Sequence, residues 1–363
     1  MKHYLFYIPS FDGGGAERLT VMLANQFCNT GNKVCFVVNN AEGPVKSLLS
    51  QDVSQHELNP GTHFSSIFLF SSLLKKIKPD YIFCRNGLCP VVGVMGALLS
   101  FMLDKVVIAY DNPYNPNSRI GTRLRYYGAS LLSRLSRCTV CVSSDIQTEL
   151  RDKFKASSKK LKVIYNPVDL EEINKKSKKP LPDFLLKYRE GKPFILAVGR
   201  FVEQKDYPTL IRAFHRIHGK LPHDLLILGQ GQLENDIRNL IKKLSLNDRV
   251  LLPGFLENPF PVFRTASLFV LSSIFEGFGN VIIEALATGT PVVSTNCPGG
   301  PKEILEDGKY GRLTPVGDDQ ALAEAMRSTL TNPLPVGILQ KRANDFSLDK
   351  IASQYLNIFE KVS

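Results

Sequence analysis

The chain of 363 residues lacks any apolar run long enough to cross a bilayer as a helix. The longest run is residues 91–103, which is shorter than the roughly 20 residues of a spanning helix and predicts a buried helix instead. No leading segment resembles a signal peptide, because Met1 is followed almost directly by a predicted strand at residues 4–8. These absences predict a cytoplasmic protein.

Cysteines are few and show no pairing pattern. The seven cysteines are scattered and odd in number, which favours reduced thiols in the cytoplasm over a disulfide framework. Only Cys138 and Cys141 form a C-x-x-C pair, and no second pair completes a metal site. Since they fall on a predicted strand, where side chains three apart point to opposite faces, we expect no metal or redox chemistry there.

Nucleotide-binding fingerprints and nucleic-acid motifs are also missing. The dinucleotide signature G-x-G-x-x-G is absent, because Ala16, Glu17 and Arg18 stand in the wrong positions after the first glycines, and there is no G-x-x-x-x-G-K-[ST] loop. No aromatic-and-glycine RNA signature or helix-turn-helix pattern is found. We therefore expect no nucleic-acid partner.

Negative charge is scarce in the first half of the chain. The net charge is +11, and residues 1–180 carry 24 Lys and Arg against 14 Asp and Glu. One interpretation is ordinary solvated helix faces. The other is a basic domain that faces anionic lipid or a phosphorylated acceptor, since each Lys or Arg near such a surface contributes about 1 kcal/mol.

What is present is an alternation of short apolar strands with helices, which predicts parallel sheets covered on both faces. The pattern lapses into charged, proline-containing sequence between Val168 and Lys192, where we place a hinge, and then restarts. The length fits two domains of roughly 150 to 200 residues. We predict an α/β chain with domains at 1–170 and 171–345, and a last helix, about Leu348–Val362, within a segment 346–363 that packs back on the first domain.

Residues 275–291, FEGFGNVIIEALATGTP, contain the most suggestive segment. Asn280 is the predicted N-cap of a helix that Gly289 ends. The first N–H groups of such a helix have no intrahelical partner and suit a diphosphate. Glu276 lies in the preceding loop, and Glu284 lies on the helix among apolar residues, so we expect a buried carboxylate that needs a partner or a ligand.

Other candidate residues follow predicted strands, as ligand-binding residues do in open parallel sheets. Asp12-Gly13-Gly14-Gly15 lets the backbone approach a ligand after the first strand. Arg200 and Lys205 follow a strand of the second half and could clamp a diphosphate, although isolated cations are more often surface charges. Gly254 and Phe255 end another strand and could line a base pocket.

Together these segments resemble the retaining family 4 glycosyltransferases of the GT-B fold. The matching segments are FDGGGAER, VIYNPVD, GRFVEQKDYPTLIRAF, LLILGQGQLENDI, VLLPGF and EGFGNVIIEALATGTPVVST, which together span nearly the whole chain. The resemblance implies two doubly wound, Rossmann-like domains that face each other across a cleft, with the C-terminal helix crossing back. It also implies a nucleotide-sugar donor and no resident metal or other cofactor, in keeping with the absence of a D-x-D pair.

The same resemblance implies roles for individual residues. Glu276 would bind donor-sugar hydroxyls, Glu284 the ribose, and Arg200 and Lys205 the diphosphate leaving group. Backbone N–H groups near Gly279, Asn280 and Val281 would assist at the diphosphate. The Gly13–Gly15 loop, through Gly14 and Gly15, would close on the diphosphate and the acceptor. Many relatives place a histidine-containing polar pair after the fourth strand, whereas this chain has Tyr110-Asp111-Asn112 there. A sugar-positioning role for Asp111 is therefore a hypothesis.

The resulting interpretation is a retaining, metal-independent hexosyl- or N-acetylhexosaminyltransferase that uses a UDP-sugar and a lipid-linked or oligosaccharide acceptor. We expect it to assemble lipopolysaccharide, capsule or a related glycan, as a peripheral protein on the cytoplasmic face of an anionic membrane. Two alternatives stay open: a nicotinamide-dependent dehydrogenase with two Rossmann domains, and a non-catalytic protein that binds membrane or nucleic acid.

Overall fold

The computed structural model describes residues 1–115, 120–189 and 192–360. The chain forms two compact units. Unit 1 holds Met1–Pro167 together with the segment that starts at Leu348, and unit 2 holds Val168–Ser347. The sequence places the corresponding boundaries at residues 170 and 345.

Unit 1 contains a parallel sheet of seven strands in the order β3-β2-β1-β4-β5-β6-β7. The sequence pattern misses β3, an edge strand of four polar residues without an apolar face. The strands are β1 (His3–Ser10), β2 (Lys33–Asn40), β3 (Ser54–Glu57), β4 (Tyr81–Cys84), β5 (Val106–Tyr110), β6 (Cys138–Cys141) and β7 (Leu161–Val163).

Helices connect these strands, as the parallel pairing requires. They are α1 (Gly15–Asn29), α2 (His63–Ile77), α3 (Cys89–Leu99), α4 (Ile120–Tyr127), α5 (Ala129–Leu135) and α6 (Ser144–Asp152). The apolar run that is too short for a membrane span forms most of α3, whose residues are largely buried. The strand order reverses at β1, which has β2 on one side and β4 on the other. The carboxyl end of β1 is therefore the switch point of this sheet, where ligands bind in such folds.

Unit 2 repeats the architecture with six parallel strands in the order β10-β9-β8-β11-β12-β13. The strands are β8 (Phe194–Val198), β9 (Asp224–Leu228), β10 (Val250–Gly254), β11 (Leu268–Leu271), β12 (Val292–Thr295) and β13 (Arg312–Thr314). The two doubly wound sheets confirm the predicted fold class.

The helices of unit 2 begin inside the segment predicted as a hinge. Val168–Lys192 is largely helical rather than irregular, because the Asp169 side chain caps α7 by accepting a hydrogen bond from the Glu172 N–H at 2.8 Å. Residues 190–191 of that segment lie outside the described residues. The helices are α7 (Leu170–Ser177), α8 (Asp183–Arg189), α9 (Tyr207–Ile217), α10 (Glu234–Lys243), α11 (Phe260–Thr265), α12 (Asn280–Thr288), α13 (Pro301–Ile304), α14 (Asp319–Thr331) and α15 (Val336–Ala343).

The last helix, α16 (Leu348–Glu360), belongs to unit 1. Its buried residues Tyr355 and Phe359 join the core that β1 and α1 form, and the Phe359 ring lies 5.4 Å from Tyr4 and 6.0 Å from Phe27 between centroids. Each such aromatic pair contributes about 0.5–1.5 kcal/mol beyond area burial. The predicted end of this helix at Val362 lies outside the described residues.

Candidate functional site

The loop between β11 and α12 carries the first candidate carboxylate. α12 begins at Asn280, and its N-cap is Gly279 at φ 94°, with no side-chain cap. The prediction that Asn280 is the N-cap is therefore wrong by one position, because the chain enters the helix through a left-handed residue that glycine adopts without strain. Gly289 ends the helix at φ 80°, as predicted. The helix presents its positive end at the carboxyl edge of the sheet.

Glu276 and Lys205 form a buried ion pair in front of that helix. Lys205 Nζ lies 2.6 Å from Glu276 Oε1, and their side chains are only 13% and 9% exposed. The Ser273 hydroxyl donates a second hydrogen bond to the same carboxylate oxygen at 2.6 Å. The carboxylate is thus fixed in place by partners that sequence spacing could not join, since Lys205 lies 71 residues away.

Two glycines after β12 lie in close contact with the backbone of the loop that contains Glu276, where a Cβ atom would not fit. A Cβ atom on Gly299, at φ 120°, would lie 2.1 Å from the Glu276 carbonyl oxygen, and one on Gly300 would lie 2.1 Å from that of Phe278. The Glu276 N–H in turn donates to the Pro298 carbonyl at 2.9 Å. Sequence reasoning missed these glycines and Ser273. The signal was available, because Pro298-Gly299-Gly300 and Ser273 both follow strands at this sheet edge.

Burial and the charge of Glu276 act on two neighbouring groups. They raise the pKa of the Cys297 thiol to about 12, burial being the larger cause. They also raise the pKa of the Tyr207 hydroxyl, which is buried and has no hydrogen-bond partner within the part of the chain described. Both groups therefore stay protonated and neutral at physiological pH.

The ends of β8, β9 and β10 meet beside this pair. The Gly199 N–H donates to the Leu228 carbonyl at 2.9 Å, and the Gly229 N–H donates to the Gly254 carbonyl at 2.9 Å. Arg200 is exposed at this junction, and its guanidinium makes no hydrogen bond or ion pair to any described residue. Phe255 is 66% exposed. The structure thus brings the predicted loops of unit 2 to one edge of the sheet.

Glu284 differs from its expected environment. It lies on the second turn of α12 as predicted, but it is half-buried rather than buried. The prediction of a buried carboxylate is wrong, because the apolar neighbours Ile282, Ile283 and Leu286 fill the core side of the helix and leave Glu284 on its flank. Val281 is likewise only half-buried.

In unit 1, the glycine loop leads into α1 with Gly14 as N-cap and Gly15 as first helical residue. The N-terminal end of α1 is covered by the Glu17 carboxylate, which no sequence motif marks as a site residue. A Cβ atom on Gly14 would lie 2.2 Å from Glu17 Oε2, and the Asn86 amide donates to Glu17 Oε1. Burial raises the pKa of Glu17, while its own backbone N–H and the Asn86 amide oppose that shift. The expected diphosphate contact at this helix end would therefore meet a negative group.

Asp111 follows β5, as predicted, but it forms an internal ion pair. Arg85 is fully buried, and its Nε donates to Asp111 Oδ1 at 2.7 Å. Arg85 Nη2 also donates to Asn166 Oδ1 at 2.8 Å. This network joins the ends of three strands in unit 1. These contacts give Asp111 a structural role. No contact among the described residues supports the hypothesis that Asp111 positions a sugar.

Two negative findings apply to the described residues alone. No helix among them is long and apolar enough to cross a membrane. Residues 1–115, 120–189 and 192–360 also hold no group of three or more His, Cys, Asp or Glu arranged to bind a metal ion.

Comparisons with known proteins agree with this geometry. Residues 183–347 match the family described as Glycosyl transferases group 1, and residues 13–172 match Glycosyltransferase Family 4. In a fold comparison, the structure of Anabaena HepE in complex with UDP and glucose covers 100% of both chains with a TM-score of 0.81 and 22% identity. That similarity shows the fold.

Two relatives of the chain have names that state what they synthesise or transfer. An N-acetylgalactosamine-N,N'-diacetylbacillosaminyl-diphospho-undecaprenol 4-alpha-N-acetylgalactosaminyltransferase of Campylobacter jejuni is 38% identical over 182 residues, which is 50% of this chain and 47% of the relative. The lipopolysaccharide core biosynthesis glycosyltransferase LpsE of Rhizobium meliloti is 27% identical over 353 residues, 95% of each chain. The match thus spans about half the length of the more identical relative.

Proposed function

We propose an activity from one premise: the chain belongs to the group 1 glycosyltransferases and has the GT-B fold. The proposed reaction transfers a hexosyl or N-acetylhexosaminyl unit from a nucleotide-sugar, a UDP-sugar by preference, to a glycan acceptor on a lipid carrier. The UDP preference is supported by the bound UDP of the HepE structure, whose fold this chain shares. The family match favours this reaction over the dehydrogenase and the non-catalytic binding protein.

The observation that carries the proposal is the buried Lys205–Glu276 pair in front of α12. A carboxylate held by Lys205 and Ser273 is oriented to accept hydrogen bonds from sugar hydroxyls. The positive end of α12 and the exposed Arg200 guanidinium supply attraction for a diphosphate at the same sheet edge. Glu284, on the flank of the helix, is placed to accept hydrogen bonds from the ribose.

We propose a retaining, metal-independent mechanism. The bond between the anomeric carbon and the diphosphate oxygen breaks, and the acceptor oxygen bonds to the same face of that carbon. The departing phosphate oxygen takes the acceptor proton. Arg200 and Lys205 stabilise the negative charge that develops on the leaving group, which is the interaction that strengthens most in the transition state. Glu276 orients the donor sugar and forms no covalent bond to it.

A lipid carrier is supported by relatives and by the surface of unit 1. One relative is named for a diphospho-undecaprenol acceptor and another for lipopolysaccharide core synthesis. Residues 112–144 contain five arginines and no acidic residue. On α4 and α5 the exposed side chains Ile120, Leu124, Tyr127 and Leu131 recur at helical spacing and are 59–73% exposed, and Arg123 and Arg134 are exposed among them.

Apolar side chains flanked by arginines suit the interface of an anionic membrane. We propose that this α4–α5 stripe lies on the cytoplasmic face of the membrane as a peripheral contact. Vesicles containing anionic lipid should co-sediment the protein, and Leu124→Ser with Arg134→Glu should reduce that binding. Binding that is equally strong to neutral vesicles and unaffected by the double substitution would refute the membrane contact.

A thermal-shift screen tests the donor binding on which the proposed activity depends. UDP-, GDP- and ADP-sugars are added separately, and the matching donor at about 100 times its Kd stabilises the fold by about 2.7 kcal/mol. The proposal requires stabilisation by a nucleotide-sugar and its loss in Arg200→Ala. Stabilisation by NAD alone would refute it.

A further inference from the structure

Unit 1 contains a cavity of about 400 Å³ at the switch point of its sheet. It lies at the carboxyl ends of β1, β2 and β4, and the first turn of α3 closes one side. The volume lies within the range of small-molecule sites, about 300–1,000 Å³. Its polar lining consists of Tyr7, Ser10, Asp12, Glu17, Asn39 and Asn86.

The polar side chains in this cavity are oriented by one another. The Tyr7 hydroxyl donates to Asn39 Oδ1 at 2.7 Å, so the Asn39 amide nitrogen remains as a donor. The Ser10 hydroxyl donates to Asp12 Oδ2 at 2.7 Å, and the Asn86 amide donates to Glu17 Oε1. The cavity therefore offers fixed carboxylate acceptors and an amide donor, which is the chemistry that recognises sugar hydroxyls.

The negative charge of the cavity disfavours a phosphate group. Two carboxylates line it, and none of the described residues that line it is Lys, Arg or His. Glu17 also lies over the N-terminal end of α1, the place where a phosphate would otherwise bind. A phosphate in this cavity would meet the like charges of Asp12 and Glu17, which disfavour its binding.

We propose that this cavity binds a neutral sugar of the acceptor glycan, and that the Glu17 carboxylate excludes phosphate from it. This inference rests on the proposed function, and it specifies the acceptor. The acceptor must already carry a sugar when it arrives, because a bare lipid phosphate or diphosphate has no group that the cavity accepts. Another glycosyl transfer must therefore supply the substrate, and this chain extends a glycan rather than starting one.

Binding of short-chain probes tests the inference without turnover. Octyl glycosides of glucose, galactose, N-acetylglucosamine and N-acetylgalactosamine are compared with octyl phosphate by ligand-detected NMR titration in the presence of UDP. Wild-type protein should bind at least one neutral glycoside and reject octyl phosphate. Failure of all four glycosides, or tighter binding of octyl phosphate, would overturn the inference.

Two variants separate the effect of the Glu17 charge from the effect of the position of its carboxylate. Glu17→Gln should lower the affinity for the glycoside about tenfold or more, as expected for loss of a charged hydrogen-bond acceptor. It should also bind octyl phosphate. Alanine fits the backbone at position 14 without strain, since Gly14 φ is −72°. In Gly14→Ala the added Cβ atom should displace the Glu17 carboxylate, which keeps its negative charge. Gly14→Ala should therefore lower the affinity for the glycoside and still not bind octyl phosphate.

Glu171→Gln on α7 is the matched control, because that side chain is exposed and lies in unit 2; it should bind all probes as wild type does. Identical probe binding by wild type and Glu17→Gln would contradict the inference. The proposed function fails separately, by absence of stabilisation with every nucleotide-sugar, so the two failures are distinguishable.

Discussion

Lys205 Nζ lies 2.6 Å from Glu276 Oε1, and both side chains are almost withdrawn from solvent. If these side chains only contacted the substrate, alanine at either position would abolish transfer and leave folding intact. The buried pair predicts a further effect, because removing one partner leaves an uncompensated charge in the interior. Such a change costs about 3–5 kcal/mol.

Lys205→Ala should therefore abolish transfer and also lower the free energy of unfolding by about 3–5 kcal/mol. The double variant Lys205→Met with Glu276→Gln should recover much of the stability, since no charge is left buried, and should remain inactive. Urea denaturation of Lys205→Met, of Glu276→Gln and of the double variant measures the coupling between the two side chains. Strictly additive losses would show that the two side chains do not interact.

Asp111 should affect stability before it affects catalysis. Asp111→Ala leaves Arg85, which is fully buried, without its carboxylate, and should lower the free energy of unfolding by about 3–5 kcal/mol. Chemical denaturation beside transfer assays distinguishes the two roles, with exposed Asp52→Asn as the control. An unchanged denaturation midpoint with a large fall in kcat would instead support the sugar-positioning hypothesis.

Glu17→Gln should stabilise the fold at neutral pH. Burial raises the pKa of Glu17 above its unfolded value, so the folded state binds the proton more readily and wild-type stability increases as the pH falls. The charge of Asp111 also disfavours the ionised form of Glu17, and the charge of Arg85 favours it. The stability gain of Glu17→Gln should be largest near about pH 8 and shrink toward about pH 5. Denaturation curves across that range measure it, and a gain that grows toward acid pH would contradict this account of Glu17.

The glycine loop before α1 offers a comparison of neighbouring positions. A Cβ atom at Gly14 collides with the Glu17 carboxylate, whereas one at Gly15 meets nothing within 4 Å. Gly14→Ala should raise the KM for the acceptor more than Gly15→Ala does. If instead the loop holds the donor diphosphate through its backbone, both variants should raise the KM for the donor alike. Steady-state kinetics with each substrate varied in turn decides between these outcomes.

The sequence predicts both sheets and the position of α12, because strands buried on both faces and a helix that ends at glycine leave strong local patterns. Local patterns fail where polar residues form an edge strand, as in β3, or where a side-chain cap starts a helix in charged sequence, as in α7. They also place the N-cap of α12 at Asn280 rather than Gly279, since side-chain capping preferences do not reveal a helix that starts from a left-handed glycine.

The partners of the site residues could not be predicted, because they come from distant parts of the chain. Glu17 meets Asn86 across 69 residues, and Arg85 meets Asn166 across 81. Only the folded sheet brings these strand ends together. The sequence therefore proposes donor-side residues by motif, while the cavity beside Glu17 is visible only in the tertiary structure.

The most direct test of the account is the affinity of UDP for wild type and Glu284→Gln, measured by calorimetry. Exposed Glu324→Gln on α14 is the matched control and should bind UDP as wild type does. If Glu284 accepts hydrogen bonds from the ribose, its variant should bind UDP about tenfold or more weakly, the loss expected for a charged hydrogen-bond partner. Equal affinity in all three proteins, or no binding of UDP to wild type, would contradict a nucleoside-diphosphate site at α12.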